Sequence, residues 1–334
     1  MNLYSTLKEL CLCPSISGRE QKIREKIEDK LKPLCDSVYT DALGNLIGVK
    51  KGSGNGKSVM LAAHMDEIGF IVNFIEDNGM IRVAPVGGIN WVAAAFTSVV
   101  SENGVKGAIL PEGKVKPSEY KPDSFFIDIG AKSKKRAEAL VSIGDFFVVA
   151  PHLERLAGGR VCGRPLDDRV GCAVQLSVAE ALAKVETKGD VYYVFSVQEE
   201  VGCRGSQTAA FALRPHIGLC FDVTATGDTP GAASMVCSLG DGAAIKIKDA
   251  SVICDEGVVK ALCAVAKEKG IKHQKEILLF GGTDTSSMQL AGAGAAVGAL
   301  SIPTRYIHSS VETCELADAE ACASLAVEYI KSLQ

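Results

Sequence analysis

The stretch that most constrains the fold runs from Tyr192 to Gly202, where Tyr192-Tyr193-Val194-Phe195-Ser196-Val197 passes directly into Gln198-Glu199-Glu200-Val201-Gly202. An unbroken run of aromatic and β-branched residues marks a strand covered on both faces, and such strands belong to largely parallel sheets packed between helices. Ligands of such sheets gather outside the carboxyl ends of the strands. Two adjacent glutamates at that place would repel each other and lose hydration, so they call for a compensating cation. Alone, the pair reads more readily as the start of a solvated loop, which is what most adjacent glutamates are.

The pattern recurs, which favours the cation. Ser58-Val59-Met60-Leu61-Ala62-Ala63 ends in His64-Met65-Asp66, Ile217-Gly218-Leu219-Cys220-Phe221 ends in Asp222, and the apolar run from Ala295 to Ile302 leads to Arg305-Tyr306-Ile307-His308. A further candidate is the loop Gly163-Arg164-Pro165-Leu166-Asp167-Asp168, which enters a helix. One carboxylate suffices to cap that helix, as Asp168 would do. Asp167 is then free, and its two oxygens suit it to bridge a pair of metals. Of the five histidines, His152, His216 and His273 read as structural, whereas His64 and His308 each end a strand beside a polar partner.

Around these strands, Leu3, Leu7 and Leu10 define a first helix over residues 3–12, and Ser17-Gly18-Arg19-Glu20 reads as a capping box opening a second with Ile23, Ile27 and Leu31 as its stripe. Two strands, 38–40 and 45–49, precede the His64 strand. Between residues 69 and 147 the texture changes to short strands and Asn-Gly turns, with one helical stretch from Ser133 to Leu140. This small β-domain interrupts a larger one, so the expected division is a discontinuous domain of residues 1–68 and 148–334 and an inserted β-domain of residues 69–147. Helices are expected from Asp168 to Ala183, from Asp255 to a stop at Gly270, and from Asp318 onward. The fold class is therefore α/β: a mixed, largely parallel sheet sandwiched by helices, with an inserted small β-barrel-like domain.

At 334 residues and 47% hydrophobic, the chain is long enough to bury a large core. A net charge of -4 and the lack of a basic block argue against nucleic acid or a membrane surface as partner. No basic segment followed by an apolar core opens the sequence, which implies a cytoplasmic protein. The twelve cysteines lie scattered, many in apolar runs, and read as reduced thiols rather than a disulfide framework.

Five phrases in order along the chain, His64-Met65-Asp66-Glu67-Ile68-Gly69-Phe70, Leu166-Asp167-Asp168-Arg169-Val170-Gly171, Gln198-Glu199-Glu200-Val201-Gly202, Phe221-Asp222-Val223 and Tyr306-Ile307-His308-Ser309, resemble the signature of the cytosolic dinuclear metallo-aminopeptidases. That family includes tetrahedral, deblocking and glutamyl aminopeptidases, and some members carry cellulase or endoglucanase labels. The resemblance implies two divalent ions per subunit, zinc or cobalt or else manganese. One would be held by His64, Asp167 and Asp222, the other by Asp167, Glu200 and His308. Asp66 would accept the second ring N–H of His64, and Glu199 would be the general base for a metal-activated hydroxide that removes amino-terminal residues from short peptides. The Asp167–Asp168 peptide bond is expected to be cis. Phe70, Ile71, Val72, Phe74, Ile75, Phe96, Phe125 and Phe126 exceed what the insert's own core should need, which points to a subunit contact, and the resemblance implies dimers that close into a tetrahedral dodecamer. Alternatives are a metal-dependent deacylase or carboxypeptidase, a glucanase, which would need an acid and base pair flanking an aromatic-lined cleft, and a scaffold that kept the fold without the chemistry.

Overall fold

The structure, a computed structural model, describes residues 2–333. Among the described residues an eleven-stranded mixed sheet forms the core. Its centre is four parallel strands in the order Val191–Ser196, Val59–His64, Ile217–Thr224 and Ala296–Arg305. These are the apolar runs of the sequence, and Val59–His64 and Ile217–Thr224 are buried at every position. The margins are antiparallel: Leu46–Lys50 and Ser37–Thr40 on one side, Glu312–Glu315, Arg160–Arg164 and His152–Arg155 on the other. Ala243–Lys248 and His273–Ile277 branch from the Ala296–Arg305 strand.

Strand side chains alternate between faces, which divides the core in two. Leu61, Ala63, Leu219 and Phe221 pack with the helices Leu3–Cys11, Gln21–Leu31, Arg169–Leu182, Glu256–Lys269 and Leu316–Ser332. Met60, Ala62 and Cys220 pack on the other face with Ala209 and Ala210 of Arg204–Leu213 and Met288 of Asp284–Leu290. Because Ser196 lies level with His64 in register, the parallel strands deliver their ligand-type ends to one edge of the sheet.

Capping chemistry accounts for several boundaries. Asp168 accepts the N–H of Gly171 at 3.0 Å, and Asp255 caps Glu256–Lys269, which stops at Gly270 with φ 65°. The expected capping box does not form: the second helix begins at Gln21, and Ser17 and Glu20 turn away from it. Ser17 Oγ donates to Asp66 (2.6 Å), while Glu20 Oε1 accepts the N–H groups of Gly18 (2.7 Å) and Gln198 (3.1 Å). The last helix opens at Leu316, two residues before Asp318, whose carboxylate instead accepts the N–H groups of Gly240 and Gly242.

Gly69–Ile75, Ile81–Val86, Thr97–Ser101, Lys106–Pro111, Phe125–Asp128 and Phe146–Val149 form a closed barrel. Phe70, Val72, Ile75 and Phe125 fill it, so half of the apolar residues expected to exceed the needs of its core belong to that core. Phe74 (54% exposed) and Phe96 (71%) do lie outside. The helical content also differs from expectation: Ser133–Leu140 contracts to Lys134–Glu138, and Trp91–Ala94 forms an unforeseen turn of helix. Asn90 caps that turn, and Trp91 packs its ring 4.7 Å from Phe125 and 5.9 Å from Phe70. No helix of the described residues is long and apolar enough to cross a membrane. The cysteines in the described chain are unpaired.

Candidate metal centre

Six side chains from five segments converge at the strand edge. His64 closes its strand and Asp222 lies within Ile217–Thr224. Glu199 and Glu200 sit in the turn after Val191–Ser196, Asp167 in the turn between Arg160–Arg164 and Arg169–Leu182, and His308 beyond Ala296–Arg305. The Glu199-Glu200 turn and the His308 segment are bent by non-glycine residues in the left-handed region, Gln198 (φ 56°) and Cys203 (51°) around the first, Tyr306 (60°) and His308 (62°) in the second. Such backbone costs energy and concentrates where a side chain must be aimed.

Asp167 is the hub. Its Oδ1 lies 3.0 Å from His64 Nε2 and its Oδ2 3.2 Å from His308 Nε2. His308 Nε2 is also 3.2 Å from Glu200 Oε1, and His64 Nε2 is 4.0 Å from both Asp222 Oδ1 and Glu199 Oε2. Burial disfavours the charged form of Asp167, but the two imidazoles outweigh it and hold the carboxyl well below its usual range. Burial pushes Glu199 up, with Asp222, Asp284 and Glu200 adding to the rise against the opposing His64. Asp222 is likewise raised by burial. For His308, burial lowers basicity, yet contacts with Asp167 and Glu200 prevail and push it up to about 11.

This electrostatic frustration is what a cation would relieve. Glu200 Oε1 is buried without a hydrogen-bond partner, although His308 Nε2 is near. Two imidazoles with several carboxylate oxygens are a donor set suited to divalent transition metals. Ligand atoms of His64, Asp167 and Glu200 lie within 4.8 Å of one another, as do those of His64, Asp168 and Asp222. Asp168, however, is occupied by the N–H groups of Gly171 and His64, which leaves Asp167 as the bridging candidate. The Asp167–Asp168 bond is cis, as the resemblance implied; Arg164–Pro165 is cis as well, which it did not. Glu199, Cys203 and Asp284 also cluster, but the Cys203 thiol donates to Glu199, and Asp284 accepts the hydroxyls of Ser196 and Ser206.

Asp66 differs in detail from its expected part. His64 Nδ1 lies 3.1 Å from the Asp66 backbone oxygen and 3.5 Å from its Oδ1, so the main chain is the better-placed partner of the ring. The fully buried Asp66 carboxylate is taken up by the N–H groups of Glu199 (3.0 Å) and Glu200 (3.2 Å) and by the Ser17 hydroxyl. It thereby ties the glutamate turn to the His64 strand.

Several contributors escaped the sequence reading. Glu312 Oε2 accepts the N–H groups of Leu166 (2.5 Å) and Asp167 (3.2 Å), and its Oε1 accepts that of His308 (2.9 Å). Arg164 donates to Ser309 and Ile68 backbone oxygens and lies 3.7 Å from Glu312 and 3.9 Å from Glu67. The fully buried Arg169 donates to the Leu10 and Ser15 carbonyls and lies 3.7 Å from Glu67. The barrel reaches the centre too: Gly88 O is 2.8 Å from His308 Nδ1. Glu67 and Arg169 stood inside the singled-out phrases, but only their burial reveals what they do.

A cavity of about 660 Å3 opens from the centre, bounded by residues within 223–229, 278–283 and 304–308. That volume suits a small molecule or the end of a short peptide.

Comparison with known proteins follows the same lines. Residues 44–325 match the family model described as M42 glutamyl aminopeptidase. A putative aminopeptidase of Acetivibrio thermocellus is 43% identical over 98% of this chain and 98% of its own length. A lysyl aminopeptidase of Pyrococcus furiosus is 35% identical over 99% of this chain and 97% of its own. Among solved structures, an aminopeptidase from the archaeon Desulfurococcus kamchatkensis superposes with a TM-score of 0.94 at 34% identity, covering 99% of this chain and 97% of the other. The Pyrococcus horikoshii TET1 peptidase, described as assembling into a tetrahedron or a large octahedral shell, superposes with a TM-score of 0.88 at 34% identity, covering 98% of each chain.

Proposed function

The chain belongs to the M42 glutamyl aminopeptidase family and is a peptide hydrolase, and from that premise we propose that it removes amino-terminal residues from short peptides at a two-metal centre. The observation that carries this reading is the Asp167 carboxylate set between two imidazoles at 3.0 and 3.2 Å, one oxygen to each. His64, Asp167 and Asp222 would hold one divalent ion, and Asp167, Glu200 and His308 the other; zinc, cobalt and manganese all suit the set. When bound, the ions would supply Lewis acidity to the scissile carbonyl and lower the pKa of water.

Each remaining part belongs to the chain itself. Glu199, beside His64 but occupied at only one oxygen by the Cys203 thiol, takes the proton of the attacking water and returns it to the leaving amine. Asp66 holds the backbone of the Glu199-Glu200 turn in place. The Nδ1 contacts of His64 and His308 to main-chain oxygens direct each Nε2 toward Asp167. A glucanase is disfavoured by the same contacts, because these carboxylates converge on histidines rather than flank a cleft. We further assign residues 1–68 and 148–334 to the catalytic domain and 69–147 to an inserted domain for subunit contact, in a cytoplasmic homo-oligomer. The assembly described for the Pyrococcus horikoshii relative supports that last part.

The two glutamates separate the roles. Glu199→Gln should keep both ions and lower kcat by at least ~100-fold, the usual scale for losing a general base. Glu200→Gln should bind one ion fewer by elemental analysis. Near-normal turnover in the first variant would remove the base assignment, and full metal content in the second would remove the ligand.

A further inference from the structure

Beyond the reacting centre, the cavity continues between two walls. One is the end of Ile217–Thr224 and the residues after it, with Val223, Ala225, Thr226 and Thr229; the other carries Leu278 and Phe280. Ile307 and Tyr306 complete the surround. A peptide whose scissile carbonyl lies by Asp167 and Glu199 must direct the side chain of its first residue somewhere within this space.

Away from the centre the lining residues are uncharged, with one exception. Arg305 lines the cavity, but its guanidinium is committed: Nε donates to Asp228 Oδ1 at 2.9 Å and Nη2 to Oδ2 at 2.6 Å, a bidentate pair only 17–18% exposed. Such a fork-to-fork pair cancels the net charge that either side chain would otherwise bring to the cavity. Behind Thr224, the buried Glu276 takes the Thr224 hydroxyl (2.9 Å) and lies 2.8 Å from Lys246, without exposure to the cavity. Leu278 is buried in its loop, whereas Phe280 remains 59% exposed and so offers apolar area that a side chain can cover.

We propose that this pocket selects peptides beginning with a neutral, apolar residue of leucine or methionine type, and that the Asp228–Arg305 pair is the device that keeps acidic and basic residues out. The proposal rests on the aminopeptidase reading. It departs both from the acidic residue in the family's description and from the basic residue in the name of the Pyrococcus furiosus relative. An unpartnered charge taken into such a site loses hydration with nothing to replace it, whereas an aliphatic side chain gains by burial.

Binding and turnover are to be measured separately on the metal-loaded chain. Calorimetry with the hydroxamates of leucine, methionine, glutamate (at its α-carboxyl) and lysine compares pockets at constant metal chelation. The leucine and methionine compounds should bind at least ~30-fold more tightly than the other two. Glutamate or lysine hydroxamate binding as well as leucine's would overturn the proposal. Hydrolysis of the matching amino-acyl anilides tests the activity itself, so absence of all turnover counts against the enzyme reading while the calorimetric ranking still judges the pocket. Asp228→Asn should free Arg305 and raise binding of the glutamate compound relative to the leucine one at least ~10-fold; an unchanged ratio in the folded variant would overturn the role given to the pair.

Discussion

Each histidine of the centre is held at both ring nitrogens, Nδ1 by a main-chain oxygen and Nε2 toward carboxylates. The sequence singled out these side chains, because a polar residue ending an apolar run is visible without a structure. It did not show what aims them. Glu312 belongs to a strand at the antiparallel margin, yet one carboxylate grips the backbone of Asp167 and of His308, residues 141 positions apart in the chain. Nothing in the local sequence distinguishes that glutamate from a solvated one; only its burial and distant partners do. The capping box failed for a related reason, since Ser17 and Glu20 were drawn to Asp66 and Gln198 by tertiary contacts that outweigh a local cap. Glu312→Gln replaces one accepting oxygen with a donor and sets it against a backbone N–H. Its metal affinity should fall roughly 10–100-fold, the usual cost of losing a group that orients a ligand. Competition with a chromophoric chelator measures this, and melting of the metal-free protein separates it from general instability. Unchanged affinity would show that Glu312 does not position the ligands.

At the scale of elements, periodicity served well for the α/β part. Val191–Ser196, Val59–His64, Ile217–Thr224 and Ala296–Arg305 are parallel neighbours, and Arg169–Leu182, close to the expected bounds, buries Val170, Val174 and Leu182. Of the antiparallel margins, the strands near 38–40 and 45–49 were legible, whereas His152–Arg155, Arg160–Arg164 and Glu312–Glu315 were not, because segments of four or five residues without an apolar run show no clear period. Within the barrel, short strands and the Trp91–Ala94 turn depend on contacts with Phe70 and Phe125 that lie far along the chain. The loop preceding that turn links the barrel to the candidate centre. Gly87 has φ 77°, and a Cβ there would sit 2.5 Å from Ile68 Cγ2 and 3.1 Å from Glu200 Cβ. Gly87→Ala should therefore displace the Glu200 turn and the Gly88 carbonyl on His308, lowering kcat/KM by about 10-fold or more, on the scale at which a displacement of about 1 Å costs up to 100-fold. Steady-state kinetics on an amino-acyl anilide checks it; wild-type values would mean that the loop yields without disturbing the centre.

The whole molecule combines a deep sheet core with a barrel that keeps a few large apolar residues outside. Phe74, Val92, Phe96, Leu140 and Ile143 are each more than half exposed in the single chain. Scattered exposed apolar residues are ordinary, so the case for a subunit contact rests on these residues together with the assembly described for a relative. The sequence overstated that surface because half of the residues counted toward it close the barrel, a distinction that composition cannot make. Light scattering of the metal-loaded protein should give a mass of at least two chains, and a single-chain mass would remove the contact. The central claim concerns the two metals. Protein freed of metal by a chelator is to be titrated with zinc or cobalt while hydrolysis of a panel of amino-acyl anilides is followed. Activity should be absent without metal and should reach its plateau at two ions per chain; full activity in the chelated protein, or a plateau at one ion, would contradict a dinuclear aminopeptidase centred on Asp167.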